Sequence, residues 1–412
     1  MAARSGFWIP ASTSTDGLCL LATRGLRGFA DGAVSVLLPS YLSALGFTPV
    51  QIGAIVFGTL IGSAALTLWI GLVRIARRYL LLAASALMVA TGVGFSCVSS
   101  FWPLFIVAVV GTLNPSAGDV SLFLPIEQAA LAETVDVQDL TAIFSRYNVS
   151  GAFAGALGAL ASGLPLIIAA HTGWDRLAAQ RSGFLAYSAI AFAAAAIYWR
   201  LTPAVEAPTP TSTPASAASF ASRSIVVHLA ALFCLDAFGG GFVIQSLLAL
   251  WLFRRFDLSV AAAGTFFFVT GILGALSQFA SSWLATRFGR INTMAYTHIP
   301  ASFFLIAAAL MPDLRLTLFF LILRAALSSM DVPARQSYVM AVVPPEERAA
   351  AAGITNVPRS LASALAPLPA GAMLDRSLFG WPLIACGLLK IVYDVLLLAQ
   401  FRKIRPPDEA LR

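Results

Sequence analysis

The chain has 412 residues, of which 59% are hydrophobic and 11% charged, with a formal charge of +7. A soluble domain carries about 25% charged residues, so this chain lacks the polar surface to cover itself in water. Its arginines gather in short connections between apolar runs, as the positive-inside rule expects, and no aromatic-interleaved basic patch suggests nucleic acid. Apolar stretches long enough to cross a bilayer core of about 30 Å recur along the whole length, so the reading is a polytopic helical membrane protein.

The N-terminal MAARSGFWIPASTSTDG is short and polar. The hydrophobic stretch that follows from Leu18 is too long for a cleavable signal peptide and carries Arg24, Arg27 and Asp31. Apolar runs between turn signals predict twelve helices, numbered here one to twelve: 17–45, 51–72, 79–100, 102–131, 138–168, 182–200, 225–253, 259–282, 291–311, 315–342, 348–373 and 380–402. Between the sixth and seventh lies EAPTPTSTPASAASFASRS, rich in Pro, Ser, Thr and Ala and without an apolar helical face, which reads as a flexible linker. The expected organisation is a first six-helix bundle over 1–200, a cytoplasmic linker over 201–223 and a second bundle over 224–412. Basic residues favour the segments that share a side with the termini, which places both termini in the cytoplasm. Two lysines against 24 arginines, with abundant alanine, suggest a GC-rich bacterial genome and hence a bacterial inner membrane. Cys19, Cys97, Cys234 and Cys386 fall in apolar spans without metal-ligand spacing and read as packing residues.

The two halves repeat each other. PIEQAAL (125–131) matches PARQSYV (333–339), GFADG (28–32) resembles AFGGG (237–241), and LGFTPVQIG (45–53) resembles FDLSVAAAG (256–264). WIGLVRIARR (69–78) likewise resembles SWLATRFGRI (282–291). The matches keep their order and their offsets drift only as loop lengths would, which indicates duplication, a common way to build transporters.

With six plus six helices, a middle linker and these loops, nearly the whole chain resembles a major facilitator superfamily transporter. The family's loop signature is G-x-x-x-D-R-x-G-R-R. The second copy has Arg287, Gly289 and Arg290 with Thr286 at the aspartate position; the first has Arg74, Arg77 and Arg78, with Val73 for the aspartate and Ala76 for the glycine. Glu133, Glu346 and Glu347 are the carboxylates available to these arginines. The resemblance implies an all-α membrane protein of twelve transmembrane helices, in two pseudo-symmetric six-helix bundles around a central cavity. Helices one, four, seven and ten would line it, and each carries an aspartate near its middle: Asp31, Asp119, Asp236 and Asp331.

Ionisable residues at membrane depth are costly and usually face a polar pathway. Asp119 has no arginine within a turn and is the first candidate for proton coupling, followed by Asp31, spaced i,i+4 from Arg27, and Asp236. Candidates for holding substrate or balancing charge are Arg27, Asp331, Arg324 and Arg359; Arg359 would either bind an anion or neutralise Asp331. Lys390 is spaced to pair with Asp394, and His228 and His298 read as packing or interfacial residues. A cytoplasmic gate is expected from Glu127 and Arg335, repeat-related positions of opposite sign, with Arg74, Arg77, Arg287, Arg290 and Glu133 around it. The competing arrangement pairs Glu127 with Arg146 and Arg335 with Asp331, each within its own half. The stripe GAFAGALGALASG (151–163) is built for close helix packing.

No HExxH, phosphate-cradling loop, G-x-S-x-G or cysteine–histidine pair is present, so neither an enzyme nor a nucleotide-driven pump is expected. The expected function is secondary transport of a small organic solute, proton-coupled and outward, by a monomer with no cofactor or metal. The alternatives are a metabolite or organic-anion uptake symporter or uniporter, and a transport-inactive sensor.

Overall fold

A computed structural model of the chain describes residues 10, 12–73, 75–116, 121–206, 223–344, 347–402 and 404. Arg74, Asp119, Glu346 and most of the expected linker therefore lie outside the described residues. Within them the regular structure is entirely helical.

Among the described residues the twelve expected spans are built from seventeen α-helical segments. Helices one to three run over Thr15–Ala44, Pro49–Leu72 and Arg77–Cys97. Helix four comes in two segments, Phe101–Val110 and Phe123–Ala132. Helix five is Leu140–Ala161 followed by Leu164–Thr172, and helix six is Arg176–Tyr198. Helix seven is Arg223–Gly241 followed by Gln245–Phe256, helix eight Val260–Phe288, and helix nine Arg290–Leu310. Helix ten is Leu314–Ser328 followed by Asp331–Val342, helix eleven Arg348–Leu365 followed by Pro367–Arg376, and helix twelve Trp381–Phe401. Among the described residues, nine of these spans are long and apolar enough to cross a membrane on composition alone. Helices one, four and eleven are the exceptions. Helix one carries Asp16, Arg24, Arg27 and Asp31, and helix four is interrupted after Val110.

Local sequence explains the starts and breaks. Thr48 opens helix two with a capping box: its hydroxyl accepts from Gln51 N at 3.3 Å, and Gln51 Oε1 accepts from Thr48 N at 2.9 Å, with Pro49 at the first helical position. Asp175 and Asp313 cap helices six and ten through the N–H groups of Ala178 and Leu316. Helix four stops at Val110 with Gly111 as its cap, and Pro115 disfavours a return to helical backbone at Asn114.

The chain divides into two compact units, Met1–Ser212 with Leu258–Phe268, and Thr213–Asp257 with Val269–Arg412. Small residues bring the start of helix eight into the first unit, since a Cβ on Gly264 would lie 2.4 Å from Ala159 O. In the first unit helix one packs on helices five and six, and helix three on six. In the second, helix seven packs on helices eleven and twelve, and helix nine on twelve. The duplication read in the sequence thus reappears as one packing scheme used twice. The small-residue stripe of helix five is what lets helix one lie against it: a Cβ on Gly32 would meet Gly155 O at 2.0 Å, and one on Gly158 would meet Phe29 O at 1.9 Å. Both units carry exposed apolar side chains, among them Trp102, Phe192, Phe279 and Leu388, the surface that a hydrocarbon solvent requires.

Candidate functional site

Each unit buries a cluster of charged and polar side chains between its own helices. In the first unit the centre is Glu127, on the second segment of helix four and fully buried. Its Oε2 accepts from Arg27 Nη2 of helix one and from the hydroxyl of Tyr147 of helix five. Its Oε1 accepts from the hydroxyl of Tyr198 of helix six, and from Thr23 Oγ1 of helix one at 3.0 Å. Arg27 is equally well held: its Nε donates to Tyr198 Oη at 3.2 Å, its Nη1 to Ser121 Oγ at 3.4 Å, and its guanidinium lies 4.2 Å from the centre of the Phe123 ring. Burying a carboxylate without partners is costly; four donors from three helices remove that cost and tie helix four to helices one, five and six.

This arrangement settles two of the spacings read from the sequence. Arg27 does not pair with Asp31 one turn away, because its guanidinium reaches across to Glu127; Asp31 is buried and has no base at ion-pair distance among the described residues. Arg146 donates instead to Ala142 O at 3.2 Å. One turn before Arg27, Arg24 is also buried and stands over the Tyr147 ring at 5.2 Å, but among the described residues its Nε and Nη1 find no hydrogen-bond acceptor.

In the second unit a chain of contacts links six side chains from helices seven, nine, ten and twelve. Asp331 Oδ2 meets Arg335 Nη1 at 3.1 Å, and the same nitrogen meets Asp236 Oδ2 at 3.3 Å. Asp236 Oδ1 accepts from Lys390 Nζ at 2.6 Å. Lys390 Nζ lies 3.3 Å from His298 Nε2, and His298 Nδ1 lies 3.4 Å from Asp394 Oδ1. The i,i+4 pairing of Asp331 with Arg335 is therefore present, whereas that of Lys390 with Asp394 is not, since the lysine turns to helix seven. Arg359 stands nearby on helix eleven, half-buried, with Nε unpaired. Arg324 is half-buried and makes no ion pair among the described residues. Arg335 is engaged here with Asp236 and Asp331, and Glu127 with Arg27, each inside its own unit.

The two clusters are related by the repeat. Glu127 corresponds to Arg335, and the register that aligns GFADG with AFGGG places Arg27 at the position of Asp236. The first unit's pair runs from arginine on helix one to glutamate on helix four; the second unit's runs from aspartate on helix seven to arginine on helix ten. The same two positions carry an ion pair in both units, with the signs exchanged. Sequence reasoning had both registers available and overlooked their combination. Tyr147 and Tyr198 carry no local signal and have no place in the sequence reading, which takes His298 for a packing or interfacial residue.

The signature loops differ in how they are held. Arg77 Nη1 is 3.6 Å from Glu133 Oε1. The backbone N–H groups of Arg77 and Arg78, at the start of helix three, donate to the Glu206 carboxylate at 2.7 and 3.0 Å. Glu206, arriving from beyond helix six, thus supplies the acid that Val73 does not. In the second copy Gly289 has φ +82°, where glycine is favoured, whereas Ala76 at the corresponding position has φ −55°, which any residue adopts. That is why the first copy does without its glycine. Arg290 Nε donates to Ser337 Oγ at 2.8 Å, and Arg287 is exposed beside the Trp283 ring.

The family model of the Major Facilitator Superfamily matches residues 20–367. This chain belongs to the Major Facilitator Superfamily. It is a multi-pass integral membrane protein with the twelve-helix fold of that family's transporters. An uncharacterized membrane protein of Saccharomyces cerevisiae is 26% identical over 94% of both chains. Among solved structures, the inward-open xylose transporter XylE from E. coli superimposes with a TM-score of 0.73 at 14% identity, covering 96% of this chain and 99% of that one. A bacterial homologue of the human lysosomal transporter Spinster gives 0.68 at 18% identity, covering 94% and 96%. At these identities the likeness is one of fold.

Proposed function

We propose that this member of the superfamily is a secondary active transporter that exports a small organic solute in exchange for protons, by alternating access. The observation that carries the reading is the repeated buried ion pair, Arg27–Glu127 in one unit and Asp236–Arg335 in the other. Charges at membrane depth are retained where they serve a polar pathway or its rearrangement. A transport-inactive sensor would have no need of one in each half. Buried acids beyond those pairs, Asp31 and Asp394, supply groups that a proton could occupy. The arginine bias of the connecting segments supports cytoplasmic termini, and two lysines against 24 arginines with abundant alanine support a bacterial inner membrane.

The test is a solute screen in proteoliposomes carrying an imposed proton gradient and an internal pH dye. Export coupled to protons appears as solute movement with opposite proton flux, and is abolished by collapsing the gradient. Solute movement indifferent to the gradient would make the protein a uniporter.

One observation favours a second reading, uptake of an organic anion. Among the described residues Arg24 presents a buried guanidinium with two nitrogens that have no acceptor, and Arg359 one, whereas Arg27 is occupied by Glu127, Tyr198 and Ser121. In the same screen, preference for carboxylate-bearing solutes and proton flux in the same direction would select it.

A further inference from the structure

The contact chain in the second unit ends on a carboxylate that, among the described residues, only the His298 imidazole approaches at ion-pair distance. Asp394 is fully buried on helix twelve, and among the described residues no donor is aligned to hydrogen-bond either of its oxygens. The same residue set explains why no cation comes to it. Lys390, one turn away, is bonded to Asp236, and Arg335 lies between Asp236 and Asp331. Along the chain of contacts the two bases at ion-pair distance, Arg335 and Lys390, serve Asp236 and Asp331, and Asp394 is the carboxylate that neither reaches.

His298 decides where a proton would go. An ammonium group can only donate, so the 3.3 Å approach of Lys390 Nζ to His298 Nε2 assigns the lone pair to Nε2 and the hydrogen to Nδ1. Nδ1–H then faces Asp394 Oδ1 at 3.4 Å, within ion-pair reach but without hydrogen-bond alignment. A proton added to the imidazole would sit on Nε2, against the lysine's positive charge. A proton added to Asp394 meets no such opposition and removes the unmatched charge.

The other ionisable groups near helix twelve offer no alternative partner. Tyr393 is buried with its own hydroxyl unpaired, and Cys386 lies two turns earlier on the same helix. Arg290 of helix nine is turned to Ser337, and Tyr296 is exposed. On helix seven, Arg223 and His228 are exposed and Cys234 is half-buried. Asp375 and Arg376 sit at the exposed end of helix eleven. Arg359 of helix eleven is half-buried and makes no ion pair with Asp394 among the described residues.

We propose that Asp394 is a proton-binding site of this protein, with His298 as its positioning residue and Lys390 as the group that fixes the imidazole tautomer. The proposal rests on the transport reading above and deepens it, moving a proton site to the second half and to helix twelve. By contrast Glu127, with four donors, has no oxygen left without a partner.

The experiment needs no solute. Infrared difference spectra of the reconstituted full-length protein, titrated with acid, are expected to show the C=O stretch of a buried protonated carboxyl, and Asp394→Asn is expected to abolish it. His298→Ala should move the frequency of that band, and His298→Gln, which keeps a donor, should restore it. Where Asp394→Asn fails to fold, the wild-type protein is treated with a hydrophobic carbodiimide, which reacts with protonated carboxyls. Peptide mass spectrometry should then find the label on Asp394, fading as pH rises. A band that survives Asp394→Asn, or label on Asp31 with none on Asp394, overturns the proposal. If transport proves independent of protons while the band still depends on Asp394, the transport reading fails and the site stands.

Discussion

Arg27 of helix one is the ion-pair partner of Glu127 on helix four, and both are buried within the first unit. The repeat-equivalent pair in the second unit, Asp236 and Arg335, has its charges exchanged. Breaking such a pair from one side leaves an uncompensated buried charge, which costs about 3–5 kcal/mol. Glu127→Gln should therefore lower the melting temperature of the purified protein sharply. Replacing both partners, Arg27→Met with Glu127→Leu, should recover most of that loss. A double variant no more stable than Glu127→Gln alone would mean that the tyrosines, rather than the ion pair, govern the site.

The hydroxyls of Tyr147 and Tyr198 each donate to Glu127. A hydrogen bond to a charged group contributes about 1.5–3 kcal/mol, so Tyr147→Phe and Tyr198→Phe should each destabilise by an amount in that range. Tyr198→Phe should have the larger effect, because Tyr198 also accepts from Arg27 Nε. Equal, negligible changes in melting temperature for both variants would count against the network.

Helix one lies so close to helix five that a side chain on Gly32 or Gly158 would strike backbone atoms at 2.0 or 1.9 Å. Backbone cannot rotate aside as a side chain can. Gly32→Leu and Gly158→Leu should therefore cost more than the roughly 1–3 kcal/mol typical of overpacking, and should abolish recovery of monodisperse protein. Gly46→Ala is the informative contrast: nothing lies near its Cβ position, but its φ of +84° makes the strain purely conformational, so the loss should be modest.

The Glu206 carboxylate caps helix three through the N–H groups of Arg77 and Arg78. Losing a cap costs about 0.5–2 kcal/mol. Glu206→Ala should accordingly speed hydrogen exchange at the first amides of helix three while leaving helix six protected. Unchanged exchange there would show that Arg77's contacts with Val205 O and Glu133 hold the loop without the cap.

Membrane residence, the number of spans and the duplication were all legible in the sequence, because each depends on local quantities. Apolar length sets a span, proline and glycine mark its breaks, and a register repeated after about 208 residues marks a copied unit. Even the stripe of small residues on helix five announced its close packing before its partner was known. The pairing of the buried charges was not legible in the same way. Spacing along a helix proposed Asp331 with Arg335, which is present, but also Arg27 with Asp31 and Lys390 with Asp394, where the base reaches a different helix. Long cationic side chains span several ångströms and settle on whichever carboxylate leaves the fewest buried groups unmatched, a balance struck over four helices at once. Helical period can place a charge at membrane depth; which charge it meets there depends on packing between segments 99 to 154 residues apart.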